Sequence, residues 1–232
     1  MQVGIVTVGD ELLAGDTENT NATWLCDELD ARGVRVRRVT TVPDETAEIA
    51  RVGNEHHAEY DAVIVTGGLG PTHDDVTMEG VAAAFGRDVR AHPEAEAWLD
   101  EREGYSADDL DPRTTYLPDG SRLLRNDVGV APGAVVESAY VLPGVPSEMK
   151  AMFRSVADEF TGERTYAETV ETPEPESALL DRIGDLRANF DVSVGSYPGE
   201  TVRIKITATD PKVAEAAAAW LRDRVETTDA EA

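Results

Sequence analysis

Three short apolar runs, each followed at once by glycine, proline or acidic residues and then by a stretch of helical spacing, constrain this chain more than any other feature. The first runs from Val3 to Val8 and ends on Gly9-Asp10-Glu11, after which Ala22, Leu25 and Leu29 recur at helical spacing between Asn21 and Arg32, up to Gly33. The second, Ala62 to Thr66, leads into Gly67-Gly68-Leu69-Gly70, and Thr77 to Phe85 is helical up to Gly86. The third is Tyr140 to Leu142, and Pro146 beyond it stands at a first helical position and opens a helix through Phe160. Strands this short and apolar on successive residues belong in a sheet covered on both faces, and their alternation with helices predicts a mostly parallel arrangement. Val34 to Val42 and Ala134 to Val136 add strands, while residues 44 to 59 and 93 to 103 fit helices.

Residues 1–160 are therefore expected to form one α/β domain of three layers. A proline-spaced acidic stretch, Glu171 to Glu176, changes the composition and is the best linker candidate. Residues 161–176 are expected to hold the linker and a first strand, and residues 177–226 a small α+β domain in the order helix, strand, strand, helix. There Val192 to Tyr197 and Val202 to Thr207 flank the turn signal Pro198-Gly199, and Val213 to Val225 has helical spacing. Residues 227–232 read as a frayed tail.

Charge narrows the class of partner. Acidic residues number 46 against 21 basic ones, a formal charge of -25, and lysine stands only at 150, 205 and 212. Nucleic acid is a poor partner, because neutralising phosphates takes a basic face. Acidic residues spread along periodic segments fit a surface adapted to a salt-rich cytoplasm, where screening suppresses self-repulsion. No stretch approaches the roughly 18 apolar residues of a membrane span, and no signal segment opens the chain, so a cytoplasmic location away from membranes is expected. Cys26, the single cysteine, lies between Leu25 and Leu29 on a helical pattern and reads as a packed thiol. His56 and His57 stand on a polar segment and read as a solvated face; Trp24, Trp98 and Trp220 fall on apolar helical faces and read as packing residues. No nucleophile elbow or Ser/His/Asp pattern occurs.

Chemistry concentrates in Thr66-Gly67-Gly68-Leu69-Gly70-Pro71-Thr72-His73-Asp74-Asp75, between a buried strand and a helix. Glycines at 67, 68 and 70 let backbone N–H groups approach an anion, and the next helix adds its positive end. Two carboxylates just beyond a phosphate cradle repel the phosphate unless a hard cation lies between them, so Asp74 and Asp75 point to Mg²⁺ or another divalent cation. The same residues also fit a plain glycine turn closed by an aspartate helix cap. His73 lacks a second histidine or cysteine nearby for a zinc site. Gly9, Asp10 and Glu11 follow the first strand as Pro143, Gly144, Pro146 and Glu148 follow a late one, so all three loops should meet at the carboxyl edge of the sheet. Asn19 and Asn21 either bind a ligand from the rim or cap the helix. The expected ligand-binding set is thus Gly9, Asp10, Glu11, Asn19, Asn21, Thr66, Gly67, Gly68, Gly70, Pro71, Thr72, Pro143, Gly144, Pro146 and Glu148.

Together, Gly9-Asp10-Glu11-Leu12, the Asn19 to Asn21 segment, Thr66 to Thr77 and Leu142 to Lys150 resemble the successive signatures of the CinA (competence/damage-inducible protein A) family, densely over residues 2 to 160. Asn126, Gly129 and Ala131-Pro132-Gly133 resemble its segment before the final strand, and Gly195-Ser196-Tyr197-Pro198 a marker of its small second domain. The wider family is similar to MogA, MoaB and the third domain of MoeA, which bind molybdopterin and in some members act on it with a nucleotide and Mg²⁺. The resemblance implies a MoaB/MogA-like three-layer fold and a small-molecule nucleotide or pterin as ligand, molybdopterin included. It also implies a homo-oligomer, dimer or trimer. Gly67, Gly68, Gly70, Asp74 and Asp75 carry over as ligand and metal residues, Asp74 and Asp75 being the catalytic pair. Asp10 stands where many CinA proteins have threonine, a form closer to MoeA. The C-terminal deamidase domain of full-length CinA is not expected in this chain, nor is nicotinamide mononucleotide deamidation. What the resemblance implies as activity is Mg²⁺-dependent pyrophosphate cleavage of ADP-ribose or a related dinucleotide. The alternatives are a pterin- or nucleotide-binding module without turnover, and molybdopterin adenylyl transfer.

Overall fold

The computed structural model describes residues 1–70, 72, 75–102 and 111–226. Pro71, His73, Asp74, the last residue of the helix expected at 93–103, and the tail at 227–232 lie outside the described residues. The chain divides into two compact units, Met1–Gly162 and the residues from Glu163 on.

In the first unit, strands β1 (Gln2–Val8), β2 (Arg35–Val42), β3 (Ala62–Gly67), β6 (Arg122–Leu124), β7 (Gly133–Val136) and β8 (Ala139–Pro143) make one sheet in the order β2-β1-β3-β8-β7-β6. β2, β1, β3 and β8 run parallel, while β7 and β6 pair antiparallel beyond them. Alternation along each strand explains why the runs are apolar at every position. Val3, Ile5, Ile64 and Leu142 point to one face, under helices α2 (Thr20–Asp30) and α6 (Pro146–Val156), where they meet Leu25, Leu29, Met149 and Phe153. Val6, Val8, Val63, Val65 and Val141 point to the other face, where Ile49 and Val52 of α3 (Thr46–Glu59) and Met78 and Val81 of α4 (Thr77–Ala84) cover them. Period-2 strands buried on both sides need an apolar residue at each step. Helix α1 (Asp10–Ala14) follows β1, and α5 (Pro93–Asp100) lies between the strands β4 (Val89–Ala91) and β5 (Tyr116–Pro118) of a two-stranded ribbon. A backbone bond from Gly162 to the carbonyl of Arg32 at 3.1 Å secures the end of this unit.

The second unit is a three-stranded antiparallel sheet, order β10-β11-β9, with β9 (Tyr166–Thr172), β10 (Ser193–Pro198) and β11 (Val202–Ala208). Helices α7 (Glu176–Asn189) and α8 (Pro211–Arg222) share a core with it around Val170, Leu179, Leu186, Ile204, Ile206 and Leu221. Here the structure corrects one expectation. Glu171 to Glu176 does not link two domains but joins β9 to α7 inside this unit: Thr172 is fully buried, and Glu174 is held by Arg182 at 2.9 Å.

His56 is a second correction. It is not on a solvated face but fully buried, its Nε2 3.0 Å from Thr40 Oγ1, with Tyr60 edge-on at 5.4 Å. His57 is half-buried, 2.8 Å from Ser138 Oγ. Trp98 packs in the interior, and Trp24 lies against the first core with Phe153 edge-on.

Candidate functional site

The chain steps from β1 outward to β2 and then returns past β1 to β3 on its other side, so the strand order reverses at β1/β3. Open α/β sheets bind ligands outside the carboxyl ends of such strands. A cavity of about 860 Å³ lies there. It is lined by Val8 and Glu11 after β1, by Gly67, Gly68, Leu69, Gly70 and Asp75 after β3, and by Pro143, Gly144, Val145 and Glu148 after β8. The three loops singled out in the sequence therefore do converge. A smaller cavity of about 90 Å³ beside it is lined by Glu11, Asn19, Asn21, Thr66, Gly144 and Pro146, among others.

Asp75 is the best-defined carboxylate. It folds back over the glycine loop, accepting from the backbone N–H of Thr72 at 3.1 Å and from the Thr72 hydroxyl. A Cβ on Gly68 would run into Asp75 Oδ1, and one on Gly70 would crowd Oδ2. Glycine is thus needed here so that backbone and carboxylate can share one small volume.

Other expected residues serve the scaffold. Asn19 caps α2 through Ala22 N–H at 3.1 Å and donates to Thr7 Oγ1 at 2.9 Å. Asn21 donates to the Gly144 carbonyl at 2.7 Å and ties the first loop to the third. Asp10 is exposed, and its N–H donates to Asp44 at 2.9 Å; neither it nor Gly9 lines either cavity. Glu148 reaches the crevice from the first turn of α6 and accepts from Asn126 at 2.7 Å. Asn126 is buried and also donates to Ala131 O at 2.9 Å and accepts from Gly129 N–H at 2.8 Å, so one amide fixes the loop that walls the crevice.

Eight wall residues were not singled out as ligand-binding: Val8, Leu69, Asp111, Thr114, Gly129, Val130, Ala131 and Val145. Asp111 had a usable signal, since an aspartate before Pro112 caps the 3₁₀ turn Pro112–Thr115 through Arg113 N–H at 2.8 Å. Among the described residues lining the large cavity the charged side chains are Glu11, Asp75, Asp111 and Glu148, with no lysine or arginine.

Fold and crevice together define an α/β domain with an acidic, glycine-floored pocket at its strand-order reversal. Residues 4–162 match the family described as "Probable molybdopterin binding domain". A protein of Archaeoglobus fulgidus is 38% identical over 199 residues, covering 85% of this chain and 86% of that protein. A CinA-like protein of Salinibacter ruber is 36% identical over 225 residues, 90% of this chain and 55% of that protein. The crystal structure of protein CinA from Thermoplasma acidophilum, described as of unknown function, superposes with a TM-score of 0.63 at 35% identity, covering 69% of this chain and 99% of that one. The chain belongs to the molybdopterin-binding-domain family and is similar to its CinA-like members. Among the described residues no helix is long and apolar enough to cross a membrane.

Proposed function

We propose that the crevice binds a pyrophosphate-bearing nucleotide together with Mg²⁺ or another divalent cation, and that the chain hydrolyses the pyrophosphate of ADP-ribose or a related dinucleotide. The observation that carries this reading is the Asp75 carboxylate lying across Gly68 and Gly70. A glycine backbone able to offer N–H donors to phosphate oxygens, with a carboxylate in the same volume, supports a cation between that carboxylate and a bound phosphate.

The donor set fits one mode of Mg²⁺ binding. Among the described residues no group of three or more His, Cys, Asp or Glu side chains could cage a metal. Mg²⁺ commonly needs no such cage, being held by one or two carboxylates with water and substrate phosphates completing its shell. Asp75 would hold it, and Asp74, the neighbouring candidate, lies outside the described residues. When bound, the ion supplies charge neutralisation and an activated water for attack on phosphorus. The chain's own residues do the rest. Thr72 fixes the Asp75 rotamer, the glycine loop orients the phosphate, and Asn21 and Asn126 hold the facing walls. In the reaction a water oxygen bonds to phosphorus as the bridging P–O bond breaks, giving AMP and ribose 5-phosphate from ADP-ribose.

The test is incubation of the purified chain with ADP-ribose, with and without divalent metals, and separation of the products. AMP and ribose 5-phosphate are expected only with a metal present; no AMP under any divalent metal would overturn the reading. A second reading, a pterin-binding module without turnover, is favoured by the family's own description. It would be supported by tight molybdopterin binding in the absence of AMP release.

A further inference from the structure

Beside the large cavity lies another of about 280 Å³, and Asp111 and Thr114 line both. The 3₁₀ turn Pro112–Thr115 is thus a wall shared by two chambers. At 280 Å³ the second chamber is smaller than the roughly 300–1,000 Å³ that takes a whole drug-sized ligand, so it has room for one ring system.

Its chemistry differs from that of the glycine loop. Leu99, almost fully buried, and Tyr116, half-buried, give it an apolar and aromatic wall, while Glu96, Asp100 and Asp111 supply acceptors. No lysine or arginine lines it among the described residues. Phosphate or carboxylate would be repelled there. A flat heterocycle that packs on apolar surface and donates N–H bonds at its edge satisfies both the wall and the acceptors.

We propose that this chamber is a subsite for an amino-bearing purine or pterin ring, and that Asp111 reads the ring's amino group while the ligand's phosphates lie at the glycine loop. Asp111 is a specificity-determining residue on this view, and the placement of the phosphates rests on the function proposed above. A neutral carbonyl in place of the ring amino group would bring its lone pairs against the carboxylate, so a ring without an amino group is discriminated against.

Adenosine and guanosine carry an amino group and inosine carries none, so calorimetric titration of the three into the parent protein tests the subsite without any phosphate. At least one amino nucleoside should bind about tenfold tighter than inosine, the worth of a hydrogen bond to a charged acceptor. Asp111→Asn should erase that preference. Asparagine caps a turn as well as aspartate does, so the bond to Arg113 N–H is retained and the fold with it. Inosine binding as tightly as both, an unchanged preference in D111N, or no binding of any of the three up to millimolar concentration would each overturn the proposal. The parent comparison needs no variant at all. Adding AMP with and without Mg²⁺ separates this test from the phosphate reading. An amino preference with no gain from phosphate and metal sinks that reading and leaves the subsite; a metal-dependent gain with no amino preference does the reverse.

Discussion

The two edges of the central sheet treat their carboxylates in opposite ways. At the amino edge, Glu137 in the turn between β7 and β8 is met by Arg87 at 3.2 Å and by His57 at 3.7 Å. At the carboxyl edge, the donors that meet Asp75, Asp111 and Glu148 among the described residues are neutral: a hydroxyl, backbone N–H groups and an amide. One sheet therefore carries a compensated acidic edge and an uncompensated one. On the function proposed above, charges that meet no counter-ion among the described residues, in a concave, glycine-floored place, would take a cation that arrives with the ligand, whereas those at the turn are already met by Arg87 and His57.

The largest effect should come from breaking the uncompensated edge. Asp75→Asn keeps the shape and the Thr72 contacts but removes the charge, and metal-dependent turnover should fall by more than about 100-fold, since loss of a group that merely orients a metal's ligands already costs about 10–100-fold. Glu137→Gln, at the compensated edge, should leave turnover unchanged. Steady-state assays of both variants check the contrast, and equal losses would mean that the two edges do not differ in function.

Much of the fold and of the crevice floor was legible beforehand, though the contrast between the two edges was not. The strands declared themselves because a sheet buried on both faces demands unbroken apolar runs, and the glycine loop because few other residues let backbone and carboxylate share one volume. Asp111, Thr114 and the loop around Asn126 could not be found that way. They reach the crevice through a short capped turn and an amide-braced loop, which leave no periodicity in the sequence. His56 was misread for a different reason. The segment is polar overall, yet Ile49, Val52, Gly53 and His56 form its buried stripe at helical spacing, and the histidine is simply the stripe's last member. In Glu171 to Glu176, proline and glutamate imitate a linker, whereas Thr172 closes a strand and Glu174 pairs with Arg182. That guanidinium also holds the Glu174 carboxyl below its ordinary range.

Salt separates general repulsion from the crevice. At a formal charge of -25 the unfolding midpoint should rise with KCl as carboxylates are screened. Each kcal/mol relieved moves the midpoint by about 2–4 °C for a chain of this size. Mg²⁺ at the same ionic strength should raise it further in the parent and not in Asp75→Asn. Thermal melts in matched KCl and MgCl₂ decide the matter: identical curves would leave only screening.

A smaller effect is expected from the buried histidine. Burial, aided by Arg38, holds the His56 imidazole below its ordinary range against the opposite pull of Glu55 and Glu59. The unfolded chain then binds the proton more readily than the folded one. Stability is complete above the ordinary histidine value of about 6.5 and is lost as pH falls below it toward the folded value. Protonating surface carboxylates at lower pH relieves repulsion and works the other way, so the measurement is a difference. Between pH 7 and 5, the stability gap between the parent and His56→Gln should narrow; a constant gap would rule out the buried proton as its source.

The smallest effect belongs to the compensated edge itself, where two terms oppose each other. Glu137 is the single described non-glycine residue with a left-handed backbone, φ 54°, a conformation that costs an ordinary L-residue about 1–2 kcal/mol. Its carboxylate gains contacts with Arg87 and His57, but these side chains are 38% and 32% exposed, and exposed pairs return only about 0–1 kcal/mol. Glu137→Gln removes the pairing and leaves the strain, so it should cost under about 1 kcal/mol in denaturant unfolding. Glu137→Asn also removes the pairing, but asparagine tolerates the left-handed region, so it should recover part of the strain and prove at least as stable as Glu137→Gln. If Glu137→Asn were the weaker of the two, the turn would owe its shape to side-chain length across to Arg87 and not to charge. In that case the amino edge would be a packed structural joint, and its difference from the crevice one of geometry before electrostatics.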